Sequence, residues 1–298
     1  MVRGPYGLSK SISVKTLSPG NHSVRFPLGG GGGLAQAARL DSLDYTNLPA
    51  WAFLVLFAAG LLAGTVDAIA GGGGLITLPA ALSLGIPVPL ALGTNKLGSV
   101  FGTASATWSY ARRGAVDLRE CKLGVACTLI GAVLGALAVR QLDSALLARV
   151  IPWLLAAVVI YFSLKPQLGE NDRHQRWGAG WFYAVMGLAL GFYDGFFGPG
   201  TGSFWTIAFI LLLGHNFVKA AGHTKVMNLA SNLAALVVFA LAGKVLVLPG
   251  LALGAGNLLG ARFGAHLAMT RGAKFVRPVF LVMAALVALK LIYTSFTA

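Results

Sequence analysis

Charged residues are scarce in this chain. Asp, Glu, Lys and Arg together make up 11% of its 298 residues, and nine residues in all are acidic. Hydrophobic residues make up 56%, and the mean hydropathy is +0.76. Because soluble globular domains carry about 25% charged residues, this composition excludes a soluble protein and indicates an integral membrane protein.

Cysteine is also rare, with two residues, Cys121 and Cys127. Two cysteines cannot form a disulfide framework. The five histidines show no HExxH or similar spacing, and neither glycine-rich loop matches a GxGxxG or Walker pattern. We therefore predict that the protein is not an enzyme and has no catalytic residues, no bound metal and no cofactor.

Long apolar runs, in contrast, recur along the whole chain. Most approach the roughly 20 residues that a helix needs to cross the hydrocarbon. The runs occupy residues 48–66, 88–110, 124–139, 145–164, 180–193, 217–242, 246–269 and 276–296. Since spanning β-strands would alternate apolar and polar residues, these continuous runs exclude a barrel. They predict an all-α integral membrane protein with multiple transmembrane helices.

The formal net charge is +14, but the basic residues lie in loops and in the first 46 residues, not on one solvated face. This distribution argues against binding to nucleic acid. If each run crosses once, thirteen basic residues fall on one side of the membrane and five on the other. The positive-inside rule then predicts a multi-pass protein with both termini in the cytoplasm.

Residues 1–46 differ from the rest of the chain. They are rich in Ser, Gly and basic residues, contain no acid before Asp41, and include five consecutive glycines from Gly29 to Gly33. This composition predicts a disordered basic tail. An organelle transit peptide has a similar composition, so location in an organelle membrane is the alternative.

Two stretches of the sequence occur twice. GLLAGTVDAIAGGGGLITLP aligns with GLALGFYDGFFGPGTGSFWT and sets Asp67 opposite Asp194, a shift of 127 residues. GTNKLGSVFGTASA aligns with GHTKVMNLASNLAA and sets Lys96 opposite Lys225, a shift of 129. The pattern predicts two fused homologous repeats, 47–168 and 178–298, with a substrate site between them, as secondary transporters have.

Four consecutive glycines, Gly71, Gly72, Gly73 and Gly74, interrupt the first repeat, and the apolar stretch after them is about half the length of a crossing. FGPGTGSFW interrupts the second repeat in the same way. We predict about four transmembrane helices and one Gly-rich re-entrant segment per repeat, whose half-helix N-termini favour an anion. If the short segments cross fully, each repeat has five spans and the two repeats are inverted.

Two lysines lie deep inside apolar runs. Each costs roughly 3 kcal/mol to insert, so we expect both to face a polar cavity, a carboxylate or an anion. Asp67 and Asp194 either pair with these lysines or take up a proton during transport. His223, which replaces Thr94 in the second repeat, is a candidate proton relay. The predicted substrate-binding residues are Gly71, Gly72, Gly73, Gly74, Thr94, Asn95, Lys96, Gly198, Gly200, His223, Thr224, Lys225 and Asn228.

DAIAGGGGLITLPAALSLG followed by GTNKLGSVFGT resembles the sulfite exporter TauE/SafE family, particularly its YfcA-like members. The resemblance covers residues 50 to 296, and the family motifs map onto Asp67, Gly71 to Gly74, Asn95 and Lys96. In the second repeat they map onto Asp194, Gly198, Gly200 and Lys225, with departures at Pro199 and His223. The resemblance implies a multi-pass permease of the cell inner membrane that exports sulfite or small organosulfonates.

We therefore expect a secondary-active exporter of small anions, namely sulfite, other sulfur oxyanions or organosulfonates, that works by alternating access. An anion channel and a membrane sensor or scaffold that moves no anion are the alternatives. The expected partners are the small anionic substrate and the lipid bilayer, and a homo-oligomer is compatible with the sequence.

Overall fold

The computed structural model describes residues 11–15, 23–27, 48–141 and 175–271. Contacts divide the chain into two units, residues 1–45 and 46–298. In the first unit, β1 (Ser11–Lys15) and β2 (Ser23–Pro27) pair in antiparallel fashion, with Ser11 opposite Pro27. Both strands lie within residues 1–46, whose disorder stays a prediction. The rest of the tail lies outside the described residues.

The described part of the second unit is built from helices, which confirms the predicted all-α membrane fold. Its described residues form eight helices: α1 (Ala50–Ala70), α2 (Gly74–Ser83), α3 (Val88–Arg112), α4 (Lys122–Arg140), α5 (Ala179–Phe196), α6 (Thr201–Leu212), α7 (Phe217–Leu241) and α8 (247–271). By length and composition, 3 of them can cross a membrane, namely α1, α4 and α7. The predicted spans at 145–164 and 276–296 lie outside the described residues.

Glycines bring two pairs of helices into backbone contact. A Cβ atom added at Gly64 of α1 would lie 2.4 Å from the Asn257 carbonyl oxygen of α8, and one at Gly191 of α5 would lie 2.5 Å from the Thr128 carbonyl oxygen of α4. No side chain fits into such contacts, so these glycines, unlike those of the loops, act in helix packing.

The same contacts give the directions of the helices. Gly60 and Gly64 of α1 meet residues 253 and 257 of α8, and Gly98 and Gly102 of α3 meet the same two residues in the same order. Helices α1, α3 and α8 are therefore parallel. In contrast, Gly93 of α3 lies against Lys244 beyond the end of α7, and Gly222 near the start of α7 lies against Ala115, so α3 and α7 are antiparallel.

These directions correct one sequence-based prediction. With about four crossings and a re-entrant segment, the loop at 113–121 would lie on the same side of the membrane as the start of α1. Because α1 and α3 are parallel, that loop lies at the opposite end of the bundle from the start of α1. The short helix α2 and its flanking loops carry the chain back to the end where α1 begins, which is the chain direction that the alternative of five spans per repeat expects.

Candidate functional site

The two glycine-rich loops touch each other at the centre of the bundle. A Cβ atom added at Gly71 would lie 2.3 Å from the Gly202 carbonyl carbon and the Ser203 nitrogen, and one at Gly74 would lie 3.1 Å from Pro199 Cα. The Ser203 hydroxyl donates to the Ala70 carbonyl oxygen at 2.8 Å. Backbone from the two halves of the chain thus forms one connected centre.

At several positions the loop backbone adopts a conformation that favours glycine. Gly71 and Gly72 have φ values of 78° and 99°, and Gly198 and Gly200 have values of 95° and 86°. Side chains disfavour this left-handed region, so the loops turn sharply where other residues would be strained. The turns let α2 and α6 begin inside the bundle and not at its surface, since Gly73 lies against Asp67 and the Ala63 carbonyl oxygen of α1.

Two buried ion pairs cross between the halves. Lys96 Nζ of α3 lies 2.7 Å from Asp194 Oδ1 of α5, and Lys225 Nζ of α7 lies 2.9 Å from Asp67 Oδ2 of α1. Lys96 and Lys225 are 2% and 1% exposed. Each lysine therefore pairs with the aspartate of the opposite half, which neutralises the four charges in a medium where an unpaired charge is costly.

The two aspartates differ in their hydrogen bonds. Asp194 accepts hydrogen bonds from Lys96, from the Ser231 hydroxyl and from the Thr201 hydroxyl. Asp67 accepts from Lys225 and, at 3.2 Å, from the Gly73 backbone N–H. Its side chain is also more exposed, at 18% against 5% for Asp194. Asp67 is therefore the more accessible and less fully hydrogen-bonded carboxylate.

A small polar cavity lies between the two ion pairs. Its volume is ≈ 30 Å³, room for about two water molecules. Polar side chains and glycines dominate the wall. The lining includes Asp67, Gly72, Gly73, Gly74, Asn95, Lys96, Ser99, Thr103, Asp194, Gly198, Gly200, Thr201, Gly202, Asn228, Asn232 and Asn257. The buried carboxamide oxygen of Asn228 has no hydrogen-bond partner among the described residues.

Most of the predicted site residues meet at this cavity. Lys225 does not line it directly but binds Asp67, which does. Gly71 packs behind the wall against the second loop. Thr94 accepts a hydrogen bond from the Leu246 backbone N–H, and the Thr224 hydroxyl pairs with that of Thr206. These residues join helices together and do not contribute to the cavity wall.

His223 lies apart from the cavity. Its Nδ1 is 2.8 Å from the Lys219 carbonyl oxygen, its Nε2 is 3.9 Å from Glu120, and its ring packs against those of Phe209 and His215. The structure therefore does not bring His223 to the residues that it was predicted to join, and its role as a proton relay stays a prediction.

Sequence reasoning missed Asn257, which lines the cavity from α8. The residue 129 positions earlier is Thr128, so the repeat gave no signal for an asparagine there. Asn257 lies four residues after Leu253 and four before Ala261, so it shares the α8 face that meets Gly60 and Gly64. This helical spacing was the one signal that pointed to Asn257.

The described helices and the charged, glycine-lined cavity among them define a polytopic membrane protein with a central polar site. The family model described as sulfite exporter TauE/SafE matches residues 56–291. The chain belongs to this family, and it is a membrane transporter, not an enzyme. Membership implies a small-molecule substrate and a lipid environment.

Curated relatives are similar over most of their length. A probable membrane transporter protein of Haemophilus influenzae is 44% identical over 80% of this chain and 94% of its own. The probable membrane transporter protein ORF9 of a Sinorhizobium species is 46% identical over 80% and 91%. The probable membrane transporter protein YfcA of Escherichia coli K12 is 43% identical over 81% and 90%. No solved structure matches the chain at a significant level.

Proposed function

We propose that the protein moves a small sulfur oxyanion or organosulfonate across the membrane as a secondary-active exporter with alternating access. The observation that carries the proposal is a pair of buried lysines from opposite halves: Lys96 lines the cavity, and Lys225 binds Asp67, which lines it. A lysine ammonium in a dry polar cavity binds an anion strongly, because the low dielectric leaves their attraction unscreened.

The asparagines of the wall suit the same ligand. Their carboxamides can donate hydrogen bonds to anionic oxygens and accept one from a protonated oxygen of the ligand. The four residues are Asn95, Asn228, Asn232 and Asn257. The unpaired oxygen of Asn228 is suited to a donor group on the substrate. A buried unpaired acceptor costs about 1–3 kcal/mol, which a bound donor would recover.

Binding is coupled to rearrangement in this mechanism. The cavity of ≈ 30 Å³ is too small for a sulfur atom with three oxygens while the ion pairs are closed. An anion that binds Lys96 has to separate it from Asp194, and the freed carboxylate then favours taking up a proton. Proton movement with the anion through Asp67 and Asp194 follows as the proposed coupling.

The inverted-repeat arrangement is part of the proposal. Its support is a set of reciprocal contacts at the sequence shift of 129: Gly93 with Lys244 and Gly222 with Ala115, and also Thr77 with Asn95 and Thr206 with Thr224. Because the helices run in opposite directions in the two halves, the two halves can exchange conformations, so that the site opens to one side of the membrane and then to the other. This exchange is the basis of alternating access.

The helix directions also change the proposed orientation. One end of the bundle carries the basic residues Arg112, Arg113, Arg119, Lys122, Arg176, Lys219 and Arg271, whereas the described residues at the other end include Arg140 and Lys244. By the positive-inside rule we assign the first end to the cytoplasm. The start of α1 then faces away from the cytoplasm, in contrast to the sequence-based prediction of cytoplasmic termini.

Cysteine labelling in intact cells tests this orientation. Gly85 and Gly114 lie in loops at opposite ends, are exposed and have open space around them. A membrane-impermeant maleimide should label Gly85→Cys and not Gly114→Cys until the cells are permeabilised. Native Cys121 will not interfere, because burial raises the pKa of its thiol to about 11. Labelling of Gly114→Cys alone would overturn the assignment.

Flux into proteoliposomes tests the function. Radiolabelled sulfite, thiosulfate, sulfate and taurine are compared, with empty liposomes as the control. The proposal predicts saturable flux of at least one sulfur compound that responds to a pH gradient. Flux that does not saturate and carries current would favour a channel, and binding without flux would favour a sensor or scaffold.

A further inference from the structure

A second polar site lies on the outside of the bundle, away from the central cavity. A groove of ≈ 680 Å³ runs between the ends of α3 and α8, and its lining includes Trp108, Arg112, Arg113, Arg262, Phe263 and His266. We call it the basic groove. We propose that the basic groove binds the headgroup of an anionic phospholipid from the leaflet at the basic end of the bundle.

Within the part of the chain that the structure describes, the arginines of the groove form no salt bridge. No carboxylate lies within 4.0 Å of Arg112, Arg113 or Arg262 among the residues that the structure describes. Arg113 Nη2 instead lies 2.8 Å from His266 Nδ1. Three guanidinium groups gathered without a counter-charge repel one another, and an anion placed between them would relieve that repulsion.

The chemistry of the groove matches a phosphodiester. Guanidinium groups form paired hydrogen bonds to phosphate oxygens, which an ammonium group cannot do. Arg262 lies nine residues before the last described residue of α8, about 13 Å along the helix. At that depth its side chain has to extend towards the interface, where the phosphate layer of the lipid begins.

The rim of the groove matches the rest of a lipid. Trp108, Leu259 and Phe263 are 68%, 51% and 61% exposed, and all three line the groove. Tryptophan is enriched at the interface between headgroups and acyl chains. Exposed apolar side chains directly beside clustered arginines favour a ligand with both an anionic head and apolar tails over a free inorganic anion.

The opposite end of the bundle supplies an internal comparison. The shift of 129 residues gives a counterpart for five residues of the groove. Trp108, Arg112 and Arg113 correspond to Val237, Leu241 and Ala242, and Arg262 and His266 correspond to Val133 and Leu137. All five counterparts are apolar. Packing of this helix pair therefore does not need the charges, and their restriction to one end fits a ligand of one leaflet. Basic pockets between helices on the cytoplasmic side are suited to anionic headgroups.

Native mass spectrometry of the full-length protein tests the proposal. The protein is purified from nanodiscs of phosphatidylglycerol mixed with phosphatidylcholine, and retained lipids are counted for wild type and the double variant Arg112→Gln with Arg262→Gln. We expect wild type to retain phosphatidylglycerol selectively and the double variant to lose this preference roughly 30-fold, at about 1 kcal/mol per arginine.

The matched control is Arg140→Gln with Lys244→Gln at the opposite end, which should retain phosphatidylglycerol like wild type. Thermal unfolding in phosphatidylcholine alone checks that the variants fold, and Arg112→Lys with Arg262→Lys, which keeps the charges, should lose only part of the preference. Equal retention by the Gln variant and wild type would overturn the proposal. Displacement of the lipid by millimolar inorganic phosphate would also overturn it, in favour of a free-anion site.

Discussion

The two ion pairs of the central site come from corresponding positions in the two halves, yet their surroundings differ. Asp194 accepts hydrogen bonds from two hydroxyl groups besides Lys96, whereas Asp67 accepts from one backbone N–H besides Lys225. Ser231, one of the donors, corresponds to Gly102 in the first half. Positions matched by the sequence shifts thus supply the charges, and different neighbouring residues give one pair more hydrogen bonds than the other.

This difference suggests unequal roles. The pair formed by Lys96 and Asp194 is nearly inaccessible, while the Asp67 side chain is 18% exposed. We expect the pair of Lys225 and Asp67 to open first and the pair of Lys96 and Asp194 to contribute more to stability. The following predictions test that division.

The largest effect is expected where the two loops meet. Gly71→Ala introduces a Cβ atom 2.3 Å from backbone of the second loop at a φ of 78°. We expect a loss of more than about 4 kcal/mol in stability, with no folded protein recovered. Gly85→Ala is the matched control, because it has the same φ of 78° and no atom within 4 Å of the added Cβ. It should lose only about 1–2 kcal/mol. The yield of folded protein and its thermal unfolding in detergent measure the two variants, and a folded Gly71→Ala protein as stable as Gly85→Ala would contradict the contact between loops.

The second-largest effect is expected from removing the lysine of one ion pair, and its size should differ between the two pairs. Lys96→Met leaves Asp194 buried without a cation, at a cost of about 3–5 kcal/mol. Lys225→Met should cost less, because water reaches Asp67 more easily. The apparent melting temperatures of the two variants in detergent measure the difference. A larger loss for Lys225→Met would reverse the proposed division between the pairs.

A third prediction concerns proton coupling. Asp67→Asn keeps the shape of the side chain but cannot carry a proton through a transport cycle. We expect sulfite flux that persists at a reduced rate and no longer responds to a pH gradient. Proteoliposomes with and without an imposed gradient measure this. An unchanged gradient response in Asp67→Asn would remove Asp67 from the coupling mechanism.

The smallest effect is expected from removing one of the extra hydrogen bonds to Asp194, which makes its surroundings more like those of Asp67. Ser231→Ala removes a hydroxyl that donates to Asp194. Loss of a hydrogen bond to a charged group should cost about 1.5–3 kcal/mol and make Asp194 resemble Asp67. Ser99→Ala, in the cavity wall of the first half, is the control and should cost less, since Ser99 contacts neither aspartate through a described side-chain hydrogen bond. Equal melting temperatures for Ser231→Ala and wild type would contradict this account.

The sequence was sufficient for the components of the site but not for their arrangement. The repeat shift identified Asp67, Lys96, Asp194 and Lys225, because ionisable residues are conspicuous in apolar runs. It could not indicate which lysine meets which aspartate, since the pairing depends on contacts between halves far apart in the chain. Asn257 was missed because an asparagine in a glycine-rich helix has no charge, and the residue matched to it by the shift is a threonine, Thr128.

Helix direction was the other feature, which the sequence left open between two arrangements. The hydropathy pattern predicts α2 as a short apolar segment. Its length of ten residues favours a segment that does not cross the membrane. The chain nevertheless returns to its starting end, because the loops on either side of α2 supply the remaining length. Only the parallel contacts of α1, α3 and α8 reveal this, and they also changed the proposed orientation.

The most direct test of the central claim removes one ion pair without leaving a buried charge. In the double variant Lys96→Met with Asp194→Leu, apolar side chains of similar size replace the pair, so the protein should fold with near wild-type stability. Saturable sulfite flux in proteoliposomes is then measured against wild type. The account predicts a folded protein with no saturable flux. A folded double variant that transports sulfite like wild type would contradict the claim that the crossed pairs form the anion site.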